Sequence, residues 1–340
     1  MTALVFAGCS GESTELSDST KEASALLPGN SSVVAMVDLQ HVRENAPDGN
    51  KMLDQFRNDG PEELNEALDD MGLDLRKDVH RVYMGGTIRR DDNAPVVLVY
   101  GSFDREKIES YVDSKISESA DTLDIEKRNL RGYTTYQTIT RSDSQSSRPS
   151  LSAALVSDAL MIVGATPEVE AAVDRYDGEG SNALADGSAM SLVREAATGE
   201  SMWAVATNIP EEMQSSGNER MDQLSRVVRS VSASMTFEKG DLDTRVLLAA
   251  EDGADAADIA DLTRGLVGLM KRNSNMDDDW QQVLKTIEVS DNGDNVEITA
   301  RVGRSLIEQE TKKMTHAPAE TPAAQTSAAT VSHRSPMPTP

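Results

Sequence analysis

Few side chains in this sequence belong to the types that carry out covalent chemistry. There is one cysteine, Cys9, and there are four histidines, of which only His41 and His80 lie in sequence patterned for folding. An imidazole works as a general base when a nucleophile and an orienting acid stand beside it. No G-x-S-x-G elbow supplies the nucleophile, and no G-x-x-x-x-G-K-[ST] or G-x-G-x-x-G run supplies a phosphate cradle. His41 follows the first apolar strand and His80 opens the second, so folding can bring the two near each other; both are expected to be held by structural hydrogen bonds. His316 and His333 lie far apart in a polar stretch and are incidental. No catalytic residue is assigned.

Oxygen ligands are the next candidates. Asp291, Asn292, Asp294 and Asn295 offer the donors that calcium prefers, but the twelve-residue spacing of an EF-hand is absent. Asx residues around Gly293 are what a hairpin tip requires, so this group reads as a turn. Asp255, Asp258 and Asp261 share one helix face, and Asp277, Asp278 and Asp279 open another helix, where acids favour the positive end of the dipole. No metal site and no cofactor is assigned. Trp203, in the apolar run SMWAVATN, and Trp280, beside Val283 and Leu284, read as core residues.

The elements that position these groups come from a chain of 340 residues, 38% hydrophobic but only 4% aromatic. Its core must therefore be built from aliphatic side chains and methionine, which volume and patterning permit. A net charge of −25 argues against nucleic acid and against anionic lipid as partners. Aspartate outnumbers glutamate, arginine outnumbers lysine, and the acids are spread along the whole chain. Such an acidic skin resembles proteins of salt-loving microbes, and predicts loss of structure at low ionic strength, where self-repulsion is unscreened. A melting temperature indifferent to salt would contradict it. No stretch approaches the roughly 18 apolar residues of a membrane-spanning helix.

Around Cys9 the sequence reads Phe6-Ala7-Gly8-Cys9, followed by a polar run. This resembles the lipobox of bacterial and archaeal lipoproteins, in which small residues precede a cysteine that becomes lipid-modified. Phe6 stands where leucine is usual and the basic n-region is missing, as in a signal truncated at its start. The resemblance implies lipidation of Cys9 and anchorage to a membrane, with residues 10–22 as a flexible tether. The phrases LLPGNSSVVAMVDLQHV and MGLDLRKDVHRVYMGG are similar to a pattern of uncharacterised microbial lipoproteins, and imply a fold and an address.

Between the ends, two halves share an order of elements. In the first, apolar runs at 32–39, 79–88 and 95–100 read as strands, with helices at 51–56 and 61–71 inside the series. A helix over 104–116 follows, carrying Ile108, Val112 and Ile116 inward, then a hairpin of 123–128 and 133–139. In the second, a strand at 201–208, a helix near 219–228 and a hairpin turning at Lys239-Gly240 lead to a helix over 255–271. That helix is expected to bury Ile259, Leu262, Leu266 and Leu269 or Met270. A hairpin of 286–289 and 296–302 ends the half. A further hairpin at 151–155 and 160–164, with a helix over 166–176, joins the halves.

The expectation is an α+β protein of two related ferredoxin-like (split β-α-β) domains, over 25–180 and 181–313, with the break in the Gly- and Asp-rich segment 177–187. Residues 1–24 are read as truncated signal, lipobox and tether, and 314–340 as a disordered tail. The expected function is a lipid-anchored extracytoplasmic binding or structural protein, at the outer face of the cell membrane or in the outer membrane of a Gram-negative cell. Its partners are the membrane through Cys9 and an unidentified ligand or envelope protein. A carboxylate-dependent hydrolase is the alternative, and would need two buried acids facing each other across a cleft.

Overall fold

A computed structural model describes residues 15–58, 62–87, 95–118, 124–139, 150–187, 189–197, 201–207, 226–272 and 277–316. Cys9, His333 and residues 219–225 of the helix expected near 219–228 lie outside the described residues, and Val228 opens a strand. The protein is a mixed α+β structure around one antiparallel sheet of twelve strands. In chain order the elements are α1 (Asp18–Leu26), β1 (Val33–Asp38), α2 (Leu39–Asn45), α3 (Gly49–Asn58), α4 (Glu62–Asp70), β2 (Val79–Gly86), β3 (Val96–Gly101) and α5 (Arg105–Glu118). There follow β4 (Asp124–Leu130), β5 (Tyr133–Ile139), β6 (Leu151–Ser157), β7 (Leu160–Ala165), α6 (Thr166–Tyr176), a 3₁₀ turn (Leu184–Asp186) and α7 (Met190–Ala196). The chain continues through β8 (Met202–Thr207), β9 (Val228–Glu238), β10 (Asp241–Ala250), α8 (Gly253–Lys271), α9 (Asp278–Thr286), β11 (Glu288–Asn292), β12 (Asn295–Val302) and α10 (Arg304–His316).

The sheet order is β11-β12-β10-β9-β8-β1-β2-β3-β7-β6-β5-β4. Read outward from the central β8–β1 pair, each side places its first three strands in chain order. The strand beside the third is then the last strand of that side, β7 or β12. Alternation along the strands gives each sheet two faces. One cross-strand row, Ala154-Ile162-Leu98-Tyr83-Met36-Trp203-Ser234, follows from the registers of six pairings. Every member is buried, and this row belongs to the main core with residues of α1, α6 and α7. The opposite face packs smaller clusters: Leu68, Phe103 and Ile108 at one end, Ala250, Ile259 and Val296 at the other, and Val42 with Phe237 and Ile307 between.

Turn chemistry fixes the hairpins. Arg131-Gly132 and Lys239-Gly240 both carry positive φ, at 52° and 92° and at 55° and 93°, the backbone of a two-residue turn whose twist matches its strands. The β11–β12 hairpin closes with Asn292 opposite Asn295 and Gly293 at φ 60°, as the Asx-Gly pattern predicts. Gly72, at φ 69°, stops α4, with Leu73 N–H returned to Leu68 O at 2.8 Å.

Several expectations are corrected. Residues 18–24 are helical, not tether: Ser17 Oγ accepts Thr20 N–H as the cap of α1, and Leu16, Ala23, Leu26 and Leu27 enter the main core. A helix short in large apolar residues hides its docking stripe in alanine and serine, with Ser24 only 1% exposed. The segment 177–187 is not a free linker. Its Leu184 is 0% exposed in a core shared by residues on both sides of position 180, and Pro28 bridges Ala183. The hairpin beside β3 is β6–β7, and β4–β5 adds the far edge.

Helix α8 buries Ala256, Ile259 and Ala260, while Leu266, Leu269 and Met270 are exposed. The sheet ends at β11, and the inward face of this 19-residue helix is covered only around Ala256, Ile259 and Ala260. Trp280 is exposed too, because α9 turns Val283 and Leu284 inward. Finally, helix α10 runs through His316, beyond the expected boundary at 313, anchored by buried Leu306, Ile307 and Thr311. Residues 317–340 lie outside the described part.

Candidate functional site

The central strands end at a cavity of about 300 Å³, lined by side chains from α1, β1, α2, β2, the end of α7 and β8. Its floor is the core row itself: Met36, Tyr83 and Trp203, with Tyr83 and Trp203 meeting edge-on at 6.4 Å between ring centroids. Strand alternation puts Asp38 in phase with Val34 and Met36, and Arg81 in phase with Tyr83. Asp38 and Arg81 are then direct cross-strand partners. Nature has placed a carboxylate and a guanidinium at inward positions, and they bond: Arg81 Nε donates to Asp38 Oδ2 at 2.6 Å.

Asp38 has a second duty. Its Oδ1 accepts the backbone N–H of His41 at 2.8 Å, capping α2, so both carboxylate oxygens are engaged. Arg81 Nη1 donates to Ser19 Oγ at 3.0 Å, and Tyr83 Oη donates to the same oxygen at 3.3 Å, tying the first turn of α1 to β2. Burial pulls the Arg81 guanidinium down, but the hydrogen bond and charge of Asp38 outweigh it and hold Arg81 above the ordinary arginine value. Behind Tyr83 stands Tyr100, at 5.7 Å and edge-on; burial pushes its phenol well above the usual range.

His41 lines the cavity on its α2 side. Its Nδ1 lies 2.9 Å from Ser201 Oγ, and Ser201 Oγ accepts Phe237 N–H at 3.0 Å. Ser201 Oγ and His41 Nδ1 thus share a hydrogen bond in which either atom can be the donor, according to the imidazole tautomer. Aspartate, histidine and serine are near one another here, yet the roles of a triad are not met. Ser201 is 0% exposed, it occupies the nitrogen that an orienting acid would hold, and Asp38 bonds the backbone of His41 and not its ring. The expectation that His41 is held by a structural hydrogen bond agrees with this geometry. His80 makes no hydrogen bond among the described residues.

One polar group of the lining is unsatisfied. Trp203 is 3% exposed, and its Nε1–H has no hydrogen-bond partner among the described residues. A buried, unmatched donor costs roughly 1–3 kcal/mol. Gln40 Nε2 donates to Glu44 Oε1 at 3.0 Å.

The acidic groups singled out from sequence lie elsewhere, and three of them, Asp261, Asp291 and Asp294, meet arginines. Asp291 bonds Arg264, which also takes Asp261 at 2.8 Å, and Asp294 approaches Arg229 at 3.6 Å. Asp277 caps α9, and Asp255 sits in the first turn of α8, its carboxyl pushed up by burial and by neighbouring Asp252 and Glu251. Among the described residues no three His, Cys, Asp or Glu side chains gather as metal ligands would.

Sequence reasoning singled out His41 and Trp203 separately and missed Asp38, Arg81, Tyr83 and the α1 hydroxyls. The available signal was two opposite charges in the inward phase of adjacent apolar strands.

The fold and this cavity together define an α+β protein with a ligand-sized chamber at the middle of one large antiparallel sheet. No family model matches the chain, and no curated protein matches it. Solved structures of TP0453 show a distant similarity to the chain. Crystal form III has a TM-score of 0.48 at 10% identity, covering 85% of this chain and 98% of that one. Crystal form IV has 0.48 at 10%, covering 87% and 97%, and crystal form I has 0.43 at 9%, covering 85% and 96%.

Proposed function

We propose that this protein is a lipid-anchored extracytoplasmic binding protein, tethered through Cys9 to the outer face of the cell membrane or to a Gram-negative outer membrane. It takes a small ligand in the cavity between α1, α2 and the central strands. The observation that carries the binding reading is the preformed cavity of about 300 Å³, lined by aromatic, hydroxyl and charged side chains from six elements. Ligand sites are concave, largely preformed and supplied with a few placed polar groups. The hydrolase alternative is disfavoured because Asp38 is the only buried carboxylate among the described residues, and both its oxygens are already bonded.

The lipid reading rests on Cys9, the single cysteine, in its FAGC context. Ser17 lines the cavity, eight residues from that thiol, so at about 3.5 Å per extended residue the ligand site stays within roughly 28 Å of the anchor. Cys9→Ser is expected to shift the protein almost entirely from the membrane pellet to the soluble fraction, and from the detergent to the aqueous phase on phase partition. Unchanged sedimentation with membranes contradicts the lipid anchor.

The chain also reads as two related units sharing one sheet. β1-β2-β3-α5-β6-β7-α6 corresponds in order to β8-β9-β10-α8-β11-β12-α10, with β4–β5 an addition to the first. In each, the strand before the long helix and the first strand of the final hairpin flank the last strand, the split β-α-β arrangement of ferredoxin-like folds. The central β1–β8 pairing joins them.

A further inference from the structure

We infer that the outer face of helix α8 is a homodimer interface, on which a second copy of this chain packs antiparallel about a two-fold axis near Gly265. This surface is independent of the cavity and of its occupant.

The exposed side of α8 has a period of its own. Ala256, Ile259 and Ala260 are buried against the sheet. On the opposite side Asp258, Leu262, Gly265, Leu269 and Arg272 follow one another at spacings of four, three, four and three residues. That is the seven-residue repeat of a seam that meets another helix. Leu269 is 66% exposed, and Leu266 and Met270 on its flank are 44% and 45% exposed. Apolar side chains grouped in this way gain by being covered, since burial removes their surface from water. A methyl group at Gly265 or Gly268 would meet no atom within 4 Å. Glycine in an exposed helix interior costs stability relative to alanine, and here nothing in the chain's own packing asks for it. A second helix crossing at that point does, because the two backbones can then approach closely.

The charges select the occupant. Asp258 stands at one end of the seam and Arg272, the C-cap of α8, at the other; both are exposed, and neither makes an ion pair among the described residues. One row away the acids are matched within the chain, where Arg264 takes both Asp261 and Asp291. An antiparallel second copy sets Asp258 of each chain against Arg272 of the other, and brings Leu262 of each beside Leu269 of the other. A parallel copy would oppose like charges at both ends. The antiparallel arrangement is therefore self-complementary, as a two-fold interface requires. From Asp258 to Arg272 the seam is about 21 Å long at 1.5 Å per residue. A contact this small makes a weak dimer, dissociating at roughly 100 µM.

The test uses the full chain carrying Cys9→Ser, followed by sedimentation velocity from about 10 µM to 1 mM, in salt sufficient to screen the net charge of −25. A concentration-dependent equilibrium of monomer and dimer is expected. Leu269→Glu, at an exposed position, should weaken the dimer at least tenfold on the order expected for a central anchor, with the melting temperature retained. Arg272→Asp should weaken it about fivefold, and Asp258→Arg combined with Arg272→Asp should restore it, because the exchanged charges again stand opposite each other. Phosphatidylcholine vesicles are run in parallel. Monomers at every concentration overturn the inference. Dimers indifferent to Leu269→Glu and Arg272→Asp place the contact on another surface and overturn it too. Failure of the double exchange to restore what Arg272→Asp lost overturns the antiparallel arrangement. Binding to vesicles through Leu269 without dimerisation makes the face a lipid contact and overturns the second copy as its occupant.

Discussion

Leu184→Ala is expected to cost about 3 kcal/mol of folding stability, with a matching fall in the denaturant midpoint at unchanged slope. The residue lies in a Gly- and Asp-rich segment whose composition suggests a linker, where a truncation would cost under about 0.5 kcal/mol. Its surroundings argue otherwise. Leu184 is 0% exposed and belongs to the core of Leu27, Val34, Val193 and Trp203. Its N–H donates to Leu27 O at 2.8 Å, and Gly29 N–H donates to Asn182 O at 2.8 Å, so the backbone of this segment is stitched to the start of the fold. Removing three methyl-sized groups there leaves a void that β-sheet neighbours cannot close. Urea unfolding of the variant, beside Leu269→Ala at a 66% exposed position as control, is the measurement. A loss for Leu184→Ala no larger than for the control would mean that the two halves do not share a core.

Asp38→Ala should be the most damaging single change in the cavity, lowering stability by about 2–3 kcal/mol. Two losses add: the side-chain cap of α2, and the partner of Arg81. The ion-pair part is discounted because Arg81 keeps 38% of its side chain exposed and water can screen it. Asp38→Asn separates the parts. The amide oxygen can still accept His41 N–H, so about 1 kcal/mol is retained relative to alanine. Arg81→Met in the Asp38→Ala background should recover stability, since the remaining cost is an arginine without its carboxylate. A thermodynamic cycle over these variants in urea measures the coupling; zero coupling would show that the 2.6 Å contact contributes nothing in solution.

Much of the local structure was legible because it obeys short-range rules. The strand at 33–38 announces itself by an apolar run, Asp104 by its position ahead of a helix, and Lys239-Gly240 and the Asx-Gly turn by the backbone conformations their hairpins require. The helix over 166–176 follows from a proline at its first turn. Each of these depends on a handful of neighbouring residues, and propensity and pattern suffice.

What the sequence could not supply was the partner of each apolar face. Helix α8 has a continuous stripe, but only Ala256, Ile259 and Ala260 of it are buried, while Leu266, Leu269 and Met270 are exposed. Helix α1 has almost no stripe and is nonetheless docked, because small side chains let it approach closely. Burial depends on which surfaces meet, and that is a property of strands far apart in sequence. The cavity has the same origin. Cys9, His41 and Trp203 could be singled out by residue type, whereas the bond from Arg81 to Asp38, 43 residues away, and the contact of Ser201 with His41, 160 residues away, exist only because β2 and β8 both pair with β1. Sequence by itself determined the α+β class, the turns and the lone cysteine in its FAGC context. Tertiary pairing decided that the halves form one sheet, that their cores merge, and that an internally neutralised ion pair lines one chamber with Tyr83 and Trp203.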